Sequence, residues 1–225
     1  TKIAGYLVDL DSGKTLASRG AMNPQIAYGE DVIARIARTR ESPREALRLQ
    51  ELVVEALNDM ALQLCAEVGV ETEEIVEVVV VGNTAMHHLF LRLPVEQLGV
   101  SPYVPAVESA LDVKARDVGL RIAPGGYVHL LPNIGGFVGA DHVAMLLGTD
   151  VWRADGLVLA LDIGTNTEVA LVSNGEIASV SCASGPAFEG AHIRDGMRAA
   201  EGAIERVRVV DGQIEYQVIG DEPPV

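Results

Sequence analysis

Cysteine is scarce in this 225-residue sequence, which contains only Cys65 and Cys182. Two thiols fit the reducing interior of a cell better than a disulfide framework, so we expect a cytoplasmic protein. They are also too few for the four ligands that an iron–sulfur cluster or a structural zinc ion usually takes. The sequence therefore argues against a disulfide-stabilised fold and against a cysteine-ligated metal centre within these residues.

Basic residues and long apolar runs are scarce as well. Lysine and arginine number 17 against 32 aspartates and glutamates, which gives a net charge of −15. Such an acidic surface disfavours phosphate-backbone partners, so we expect neither nucleic acid nor an anionic membrane as a partner. The longest apolar runs, such as Val78–Val81 and Leu157–Leu161, are strand-sized and far short of the ~20 residues of a membrane-spanning helix. The composition predicts a globular protein.

Strand and helix signals alternate along the chain. The first segment predicts two strands joined by a turn at Asp11-Ser12-Gly13. Ser42, Pro43 and Glu45 then supply an N-cap, a first-turn proline and a capping-box acid. Because apolar residues follow at helical spacing until Gly69, we predict a long amphipathic helix from about Pro43 to Val68.

The remainder of the chain predicts a second run of strands and helices. A strand ending at Gly82 leads into a helix, and an irregular segment follows at 101–126 with one short strand or helix inside. A further strand, a glycine-rich bend and a helix from about Val138 to Leu147 precede a candidate boundary near 152–156. Beyond this boundary we predict three strands, a helix from about Ala187 to Ala200, and a hairpin turned by Asp211-Gly212.

Two segments of the sequence resemble each other. "TKIAGYLVDLDSGKTLAS" from Thr1 and "TEVALVSNGEIASVS" from Thr167 both begin with threonine, a charged residue, a β-branched residue and alanine. Both continue through Leu-Val and a turn with glycine to a second strand. Self-similarity at this distance is typical of a duplicated domain rather than of a solenoid. The first copy then lacks a counterpart of Asp162-Ile163-Gly164-Thr165, and we expect the sequence to be a fragment.

The turn Asp162–Thr167 places an acid, a glycine and hydroxyl side chains between two apolar strands. A Walker loop and a dinucleotide-binding loop both lead into a helix, whereas "TEVALV" continues as a strand, so neither fits. In a strand–turn–strand cradle, the N–H groups of Gly164 to Thr167 and the hydroxyls of Thr165 and Thr167 would face phosphate oxygens, with Asp162 holding magnesium through water. The alternative is an ordinary hairpin, since such residues also favour turns for local reasons.

These residues and three longer segments resemble a known family. Asp-Ile-Gly-Thr-Asn-Thr and the duplicated strand unit resemble the actin-like ATPase superfamily. Within it, "VVGNTAMHHLFL", "LLPNIGGFVGADHVAMLL", "LALDIGTNTEVALV" and "CASGPAFEGAHIRDGMRAAEGAI" together resemble the reductive activators of corrinoid proteins. The resemblance covers essentially the whole chain. It implies a duplicated actin-like (ribonuclease H-like) α/β ATPase fold, with mixed sheets flanked by helices.

The resemblance also implies a domain organisation. Residues 1–152 would form a first actin-like lobe without its first phosphate loop, with the irregular segment at about 101–126 as an insert. Residues 153–225 would begin a second lobe that carries the second phosphate loop. The family's adenosine-binding glycine motif and its N-terminal ferredoxin domain are both absent from this sequence. We therefore expect this chain alone to be inactive.

Individual residues take roles from the same resemblance. The second phosphate loop, with the magnesium ligand first, is matched by Asp162, Gly164, Thr165, Asn166 and Thr167. The connecting segment, where the superfamily places an acid that orients the attacking water, is matched by Asn133, Gly135, Gly136 and Asp141. Asp141 is therefore the candidate for the catalytic base or for a ligand of a magnesium-bound water, and the alternative is that it faces solvent on a helix. The family's third-strand turn is matched by Gly185, Pro186 and Glu189, and we expect Glu189 near the nucleotide.

Members of this family are ATP-dependent and restore cob(II)alamin in corrinoid methyl carriers to cob(I)alamin. The resemblance thus implies ATP and Mg²⁺ as ligands, a corrinoid protein as partner, a homodimer, and an electron from a [2Fe–2S] cluster that lies outside this chain. Two alternatives remain open. One is a small-molecule kinase of the same superfamily, although no second set of polar groups near Asp141 suggests a substrate site. The other is a non-enzymatic actin-like scaffold.

Overall fold

The computed structural model describes residues 2–29, 31–185, 187, 190, 193–197, 202–219 and 223–224. The chain divides into two compact units, unit 1 at Thr1–Thr149 and unit 2 at Asp150–Val225. This division falls close to the boundary predicted near 152–156. Within the described ranges, no helix combines the length and the apolar character that crossing a membrane requires.

Unit 1 contains two sheets and five helices among its described residues. Its elements are β1 (Lys2–Val8), β2 (Thr15–Met22), α1 (Val32–Thr39), α2 (Pro43–Val68), β3 (Glu77–Val80), α3 (Thr84–Phe90), β4 (Leu111–Lys114), α4 (Ala115–Val118), β5 (Tyr127–Leu130) and α5 (Ala140–Gly148). Strands β1 and β2 form an antiparallel hairpin. In the second sheet β5 lies between β3 and β4, parallel to β3 and antiparallel to β4.

Helix α2 has the bounds that the sequence predicts. The Ser42 side chain accepts a hydrogen bond from the backbone N–H of Glu45, and Pro43 occupies the first turn, where an N–H has no intrahelical partner. Gly69 ends the helix with φ 74°, a left-handed conformation that is easily adopted by glycine. The predicted helix from Pro43 to Val68 is therefore confirmed.

Helix α2 contributes apolar side chains to three separate clusters in unit 1. The clusters combine Met60 and Leu64 with the β1–β2 hairpin, Val54 with the β3–β5–β4 sheet, and Leu49 with α1 and α3. Burying one such side chain contributes about 1.5–3 kcal/mol. Each sheet of unit 1 is thus anchored to a different stretch of one long helix.

The ends of β3 and β5 define one edge of the mixed sheet. The two strands are parallel, and Val80 lies opposite Leu130. The chain therefore leaves both strands at the same edge, from β3 into residues 81–83 and from β5 into residues 131–139. Ligands of open α/β sheets bind at this carboxyl edge. The predicted connecting-segment residues follow β5 here.

The irregular segment at 101–126 contains both β4 and α4, and His88 fastens its first part to α3. The His88 Nε2 atom accepts hydrogen bonds from the N–H groups of Ala106 and Val107 at 3.0 and 3.3 Å, while Nδ1 lies 2.7 Å from the carbonyl oxygen of Thr84. Together these bonds require the neutral ring with its proton on Nδ1. Burial lowers the pKa of His88, which keeps the ring in that form.

The neighbouring His87 is buried, and neither of its ring nitrogens has a hydrogen-bond partner among the described residues. Burial, with a smaller contribution from His88, lowers the pKa of His87 from 6.5 to about 4. The unfolded chain therefore takes up a proton at a higher pH than the folded chain does. The contribution of neutral His87 to the free energy of unfolding is fully present above pH 6.5, and it decreases as the pH drops from 6.5 towards 4.

We expect His87→Leu to remove this part of the acid sensitivity. Between about pH 6.5 and pH 5, protonation of His87 in the unfolded chain should cost the wild-type protein roughly 2 kcal/mol of unfolding free energy. The variant should not show that loss, because leucine takes up no proton in the unfolded chain. Urea unfolding across this range measures the difference, with the plateau above pH 7 as an internal control. An equal loss in both proteins would contradict the assignment.

Unit 2 consists mainly of strands and turns at its described residues, after a short 3-10 helix at Val151–Arg153. Its strands are β6 (Leu157–Ile163), β7 (Asn166–Ser173), β8 (Glu176–Ala183), β9 (Ile204–Val210) and β10 (Gln213–Val218). Strands β6, β7 and β8 form an antiparallel sheet with β7 in the middle, and β9 and β10 form a separate antiparallel hairpin. Both members of the predicted repeat, β1–β2 and β7–β8, are therefore antiparallel hairpins.

The helix predicted from about Ala187 to Ala200 is wrong at most of the residues that the structure describes. Residues 193–195 form a bend and a turn, residues 196–197 are irregular, and only Ala187 is helical, in a 3-10 conformation. Gly190 has φ 75°, which lies outside the right-handed helical region. The apolar spacing of this segment was compatible with a helix, but its glycines break the pattern. The other residues of the predicted helix, 188–189, 191–192 and 198–200, lie outside the described residues.

Candidate functional site

In unit 1 the loops that follow β3 and β5 are hydrogen-bonded to each other. The Thr84 hydroxyl donates to the carbonyl oxygen of Gly135 at 2.6 Å, and the Asp141 N–H donates to the carbonyl oxygen of Gly82 at 3.3 Å. The Asn83 side chain begins α3 by accepting a hydrogen bond from the Met86 N–H. These contacts gather the predicted connecting-segment residues around the first turn of α3.

Asn133 is the most unusual polar group of this edge. Its backbone N–H donates to the carbonyl oxygen of Glu108 at 2.8 Å. Its side chain is only 5% exposed, and neither amide atom has a hydrogen-bond partner among the described residues. An unpaired buried amide costs free energy, so this side chain has hydrogen-bonding capacity that a ligand could use.

The glycines after Asn133 differ in how closely neighbouring atoms approach them. A Cβ atom at Gly136 would overlap the carbonyl oxygen of Tyr103, and one at Gly139 would lie 2.5 Å from Cα of Asn83. A Cβ atom at Gly135 would meet nothing within 4 Å. Gly136 and Gly139 are therefore required by neighbouring backbone, whereas Gly135 faces open space. The predicted nucleotide-binding roles of Gly135 and Gly136 stay predictions.

We expect Gly136→Ala to lower the free energy of unfolding by about 1–3 kcal/mol, the usual cost of forcing atoms into a packed site. Gly135→Ala is the matched control and should stay within about 0.5 kcal/mol of the wild-type protein. Urea unfolding of the two variants makes the comparison. Equal stabilities would contradict the close approach of Tyr103.

The candidate base Asp141 lies in the first turn of α5. It is half-buried, and its Oδ1 atom accepts a hydrogen bond from the His142 N–H at 2.9 Å. A carboxylate is favoured at this position because the N–H groups of the first helical turn point towards it. The same carboxylate is thus held in a fixed orientation at the edge where β3 and β5 end.

In unit 2 the predicted phosphate loop is a two-residue connection between β6 and β7. The Gly164 N–H donates to the carbonyl oxygen of Asn166 at 3.2 Å, and the carbonyl oxygen of Thr165 accepts from the N–H groups of Ser184 and Gly185 at 3.1 and 2.9 Å. The structure therefore places Gly185 beside the turn, while its predicted role in nucleotide binding stays a prediction. Ser184, which the sequence argument did not single out, lies beside it.

Asp162 shares one face of the unit 2 sheet with two other polar residues. It lies opposite Glu168 on β7, which in turn lies opposite Ser181 on β8. The Ser181 hydroxyl donates to Oε1 of Glu168 at 2.8 Å. Two carboxylates directly opposite each other repel, and a cation bound at Asp162 would offset that repulsion.

The magnesium site predicted at Asp162 stays a prediction. Among the described residues, no three His, Cys, Asp or Glu side chains group closely enough to hold a metal ion. Mg²⁺ is commonly held by one or two carboxylates together with waters and substrate phosphates, which Asp162 can satisfy. Thr167 lies opposite Ile163, so strand alternation places its side chain on the other face from Asp162. Both residues lie close to the two-residue connection, and one ligand can meet both side chains only if it lies across this end of the hairpin. Glu189 and Pro186 lie outside the described residues.

Two family models match the chain. Residues 1–154 match the RACo middle region, and residues 156–225 match the C-terminal domain of RACo, the ASKHA domain. The junction between the two matches lies near the division between units 1 and 2. The assignment of residues 1–152 to a first actin-like lobe stays a prediction.

Two relatives of the chain have names that refer to corrinoid activation or to a corrinoid protein. Corrinoid activation enzyme RamQ of Eubacterium limosum is 40% identical over 224 residues, which cover 100% of this chain and 37% of RamQ. The [Co(II) methylated amine-specific corrinoid protein] reductase of Methanosarcina barkeri is 28% identical over 187 residues, which cover 74% of this chain and 34% of that protein. The chain thus spans little more than a third of either relative.

A solved structure matches the whole fold. The structure of a reductive activator for corrinoid,iron-sulfur protein aligns with a TM-score of 0.88 at 41% identity, covering 100% of this chain and 36% of that chain. Together with the ASKHA-domain match, this confirms the predicted actin-like α/β fold class with mixed sheets and helices. It also confirms the resemblance drawn from the sequence motifs.

Proposed function

Because the chain belongs to the RACo family, the reductive activators of corrinoid proteins, we propose that it is the ATP-binding and ATP-hydrolysing core of such an activator. The intact protein would return the cob(II)alamin of a corrinoid protein to cob(I)alamin, a one-electron reduction at cobalt. The observation that carries the proposal is the match along the entire chain to proteins named for corrinoid activation. An ASKHA-domain match supports nucleotide binding in particular.

The turn in unit 2 supports binding of the ATP phosphates. Its backbone is held by Ser184 and Gly185. The Ser184 hydroxyl donates to the Thr167 hydroxyl at 2.6 Å, so the Thr167 oxygen acts as acceptor there and keeps its own hydrogen for a phosphate oxygen. Asp162 would hold Mg²⁺ through water, and the ion would neutralise charge on the phosphates. The backbone N–H groups of Thr165 and Asn166 would complete the proposed cradle, whereas the Gly164 N–H already donates to the carbonyl oxygen of Asn166.

Unit 1 contains two further residues with predicted roles, Asn133 as a ligand contact and Asp141 as the catalytic base. The buried Asn133 amide supports a ligand contact because its two polar atoms are unpaired among the described residues. Asp141 would accept a proton from the water that attacks the terminal phosphate of ATP, which yields ADP and inorganic phosphate. Its fixed position in the first turn of α5 supports this role, since a general base must be held in a defined orientation.

The electron must come from a group that these residues do not hold. The sequence contains two cysteines, and Cys65 is buried whereas Cys182 is exposed, so they do not form a [2Fe–2S] site. We therefore assign the electron to a ferredoxin domain outside residues 1–225. A corrinoid methyl carrier as partner, a homodimer and a cytoplasmic location complete the proposal.

Two measurements separate this function from its alternatives. Steady ADP release by the intact protein without any added acceptor supports an ATPase and contradicts a small-molecule kinase. Absence of filaments after ATP addition, observed by light scattering, contradicts an actin-like scaffold. ADP release that depends strictly on an added sugar or carboxylic acid would overturn the proposal in favour of the kinase.

A further inference from the structure

The proposed phosphate loop is held from one side by the end of β8. Two N–H groups, from Ser184 and Gly185, converge on the carbonyl oxygen of Thr165 at 3.1 and 2.9 Å. A trans peptide points its carbonyl and the following N–H in opposite directions. Because the Thr165 carbonyl is fixed towards β8, the N–H of Asn166 is fixed away from it.

A side-chain bond adds to these backbone bonds. The Ser184 hydroxyl donates to Oγ1 of Thr167 at 2.6 Å, which selects one orientation of the Thr167 side chain. Ser184 is exposed, and the other acceptor near its hydroxyl is the carbonyl oxygen of Cys182 at 3.5 Å. An exposed hydrogen bond of this kind contributes little to folding, so the fold does not explain a serine here.

We propose that Ser184 is a positioning residue that presets the Thr167 hydroxyl to donate to a phosphate oxygen of ATP. This inference rests on the proposed function and extends it to a residue with no assigned role. Ser184 does not touch the nucleotide in this scheme and acts through Thr167. Donors already aimed at a charged group need no reordering when it binds, and loss of the Ser184 hydroxyl should therefore weaken binding rather than folding.

A double-mutant cycle tests this coupling in the intact protein. Calorimetry should show that Ser184→Ala weakens MgATP binding by about tenfold, because the Thr167 hydroxyl is then no longer held in place to donate to a charged phosphate. Ser184→Thr keeps a hydroxyl and should restore most of the affinity. In a Thr167→Val background, Ser184→Ala should have no further effect. The thermal midpoint of Ser184→Ala should equal that of the wild-type protein.

Ser173→Ala provides the matched control. Ser173 is the last residue of β7, the strand that carries Thr167, and it lies at the end of β7 away from the phosphate turn. It should bind MgATP like the wild-type protein. Wild-type affinity in Ser184→Ala, or an equal loss with and without the Thr167 hydroxyl, would overturn the positioning role alone. Failure of the wild-type protein to bind MgATP would overturn the proposed function, and the inference with it.

Discussion

Replacing Asp141 with asparagine is expected to lower ATP turnover by the intact protein by ~10²–10⁴-fold, the usual effect of losing a general base. Asparagine has nearly the same shape, and its Oδ1 atom can still accept the hydrogen bond that the His142 N–H donates at 2.9 Å. The first turn of α5 should therefore keep its geometry. ATP affinity, measured by calorimetry, should stay near the wild-type value while steady ADP release falls.

Asp117→Asn is a suitable control for this experiment. Asp117 is also an aspartate in a helix of unit 1, but its side chain is 68% exposed and its carboxylate lies 3.7 Å from Arg116 at the surface. The control should turn over ATP at the wild-type rate. A wild-type rate in Asp141→Asn as well would remove Asp141 from the mechanism.

Asp162→Ala should weaken MgATP binding by about 10–100-fold, the effect typical of losing a carboxylate that supports a metal ion through its outer shell. The variant should also lose the dependence of ATP affinity on magnesium concentration. Both effects follow from the position of Asp162 opposite Glu168 on one face of the unit 2 sheet. Removing one carboxylate relieves their repulsion, so folding should not suffer.

The matched control is Asp155→Ala, which removes an exposed carboxylate shortly before β6 begins. Its MgATP affinity should be unchanged. If Asp162→Ala binds MgATP with wild-type affinity and the same magnesium dependence, the turn at 162–167 is an ordinary hairpin. The phosphate-cradle interpretation would then be lost, although the fold would stand.

Local sequence signals predicted those elements whose ends are set by neighbouring residues. Helix α2 is the clearest case, because Ser42, Pro43 and Gly69 act within one turn of the helix ends. The turn at Asp162–Thr167 was likewise visible from the polar residues between two apolar runs. The fold class came from the motif resemblance, since spacing alone does not identify how strands pair.

Features that depend on contacts distant in sequence were not predictable in this way. The bonds from Ser184 and Gly185 to Thr165 form only because β8 pairs with β7. The close approach of Gly136 to Tyr103 depends on how the segment after residue 100 folds back. The helix predicted at 187–200 is wrong at most of its described residues, where Gly190 has a left-handed backbone conformation that a helix does not allow.

The most direct test of the central claim is the reduction of a corrinoid protein by the intact activator. The absorption spectrum of cob(II)alamin in the corrinoid protein is followed under anaerobic conditions, with a reductant that feeds the ferredoxin domain, in the presence and absence of MgATP. We predict conversion to cob(I)alamin that requires MgATP and is lost in Asp162→Ala. Conversion at the same rate without ATP, or none with it, would contradict the account.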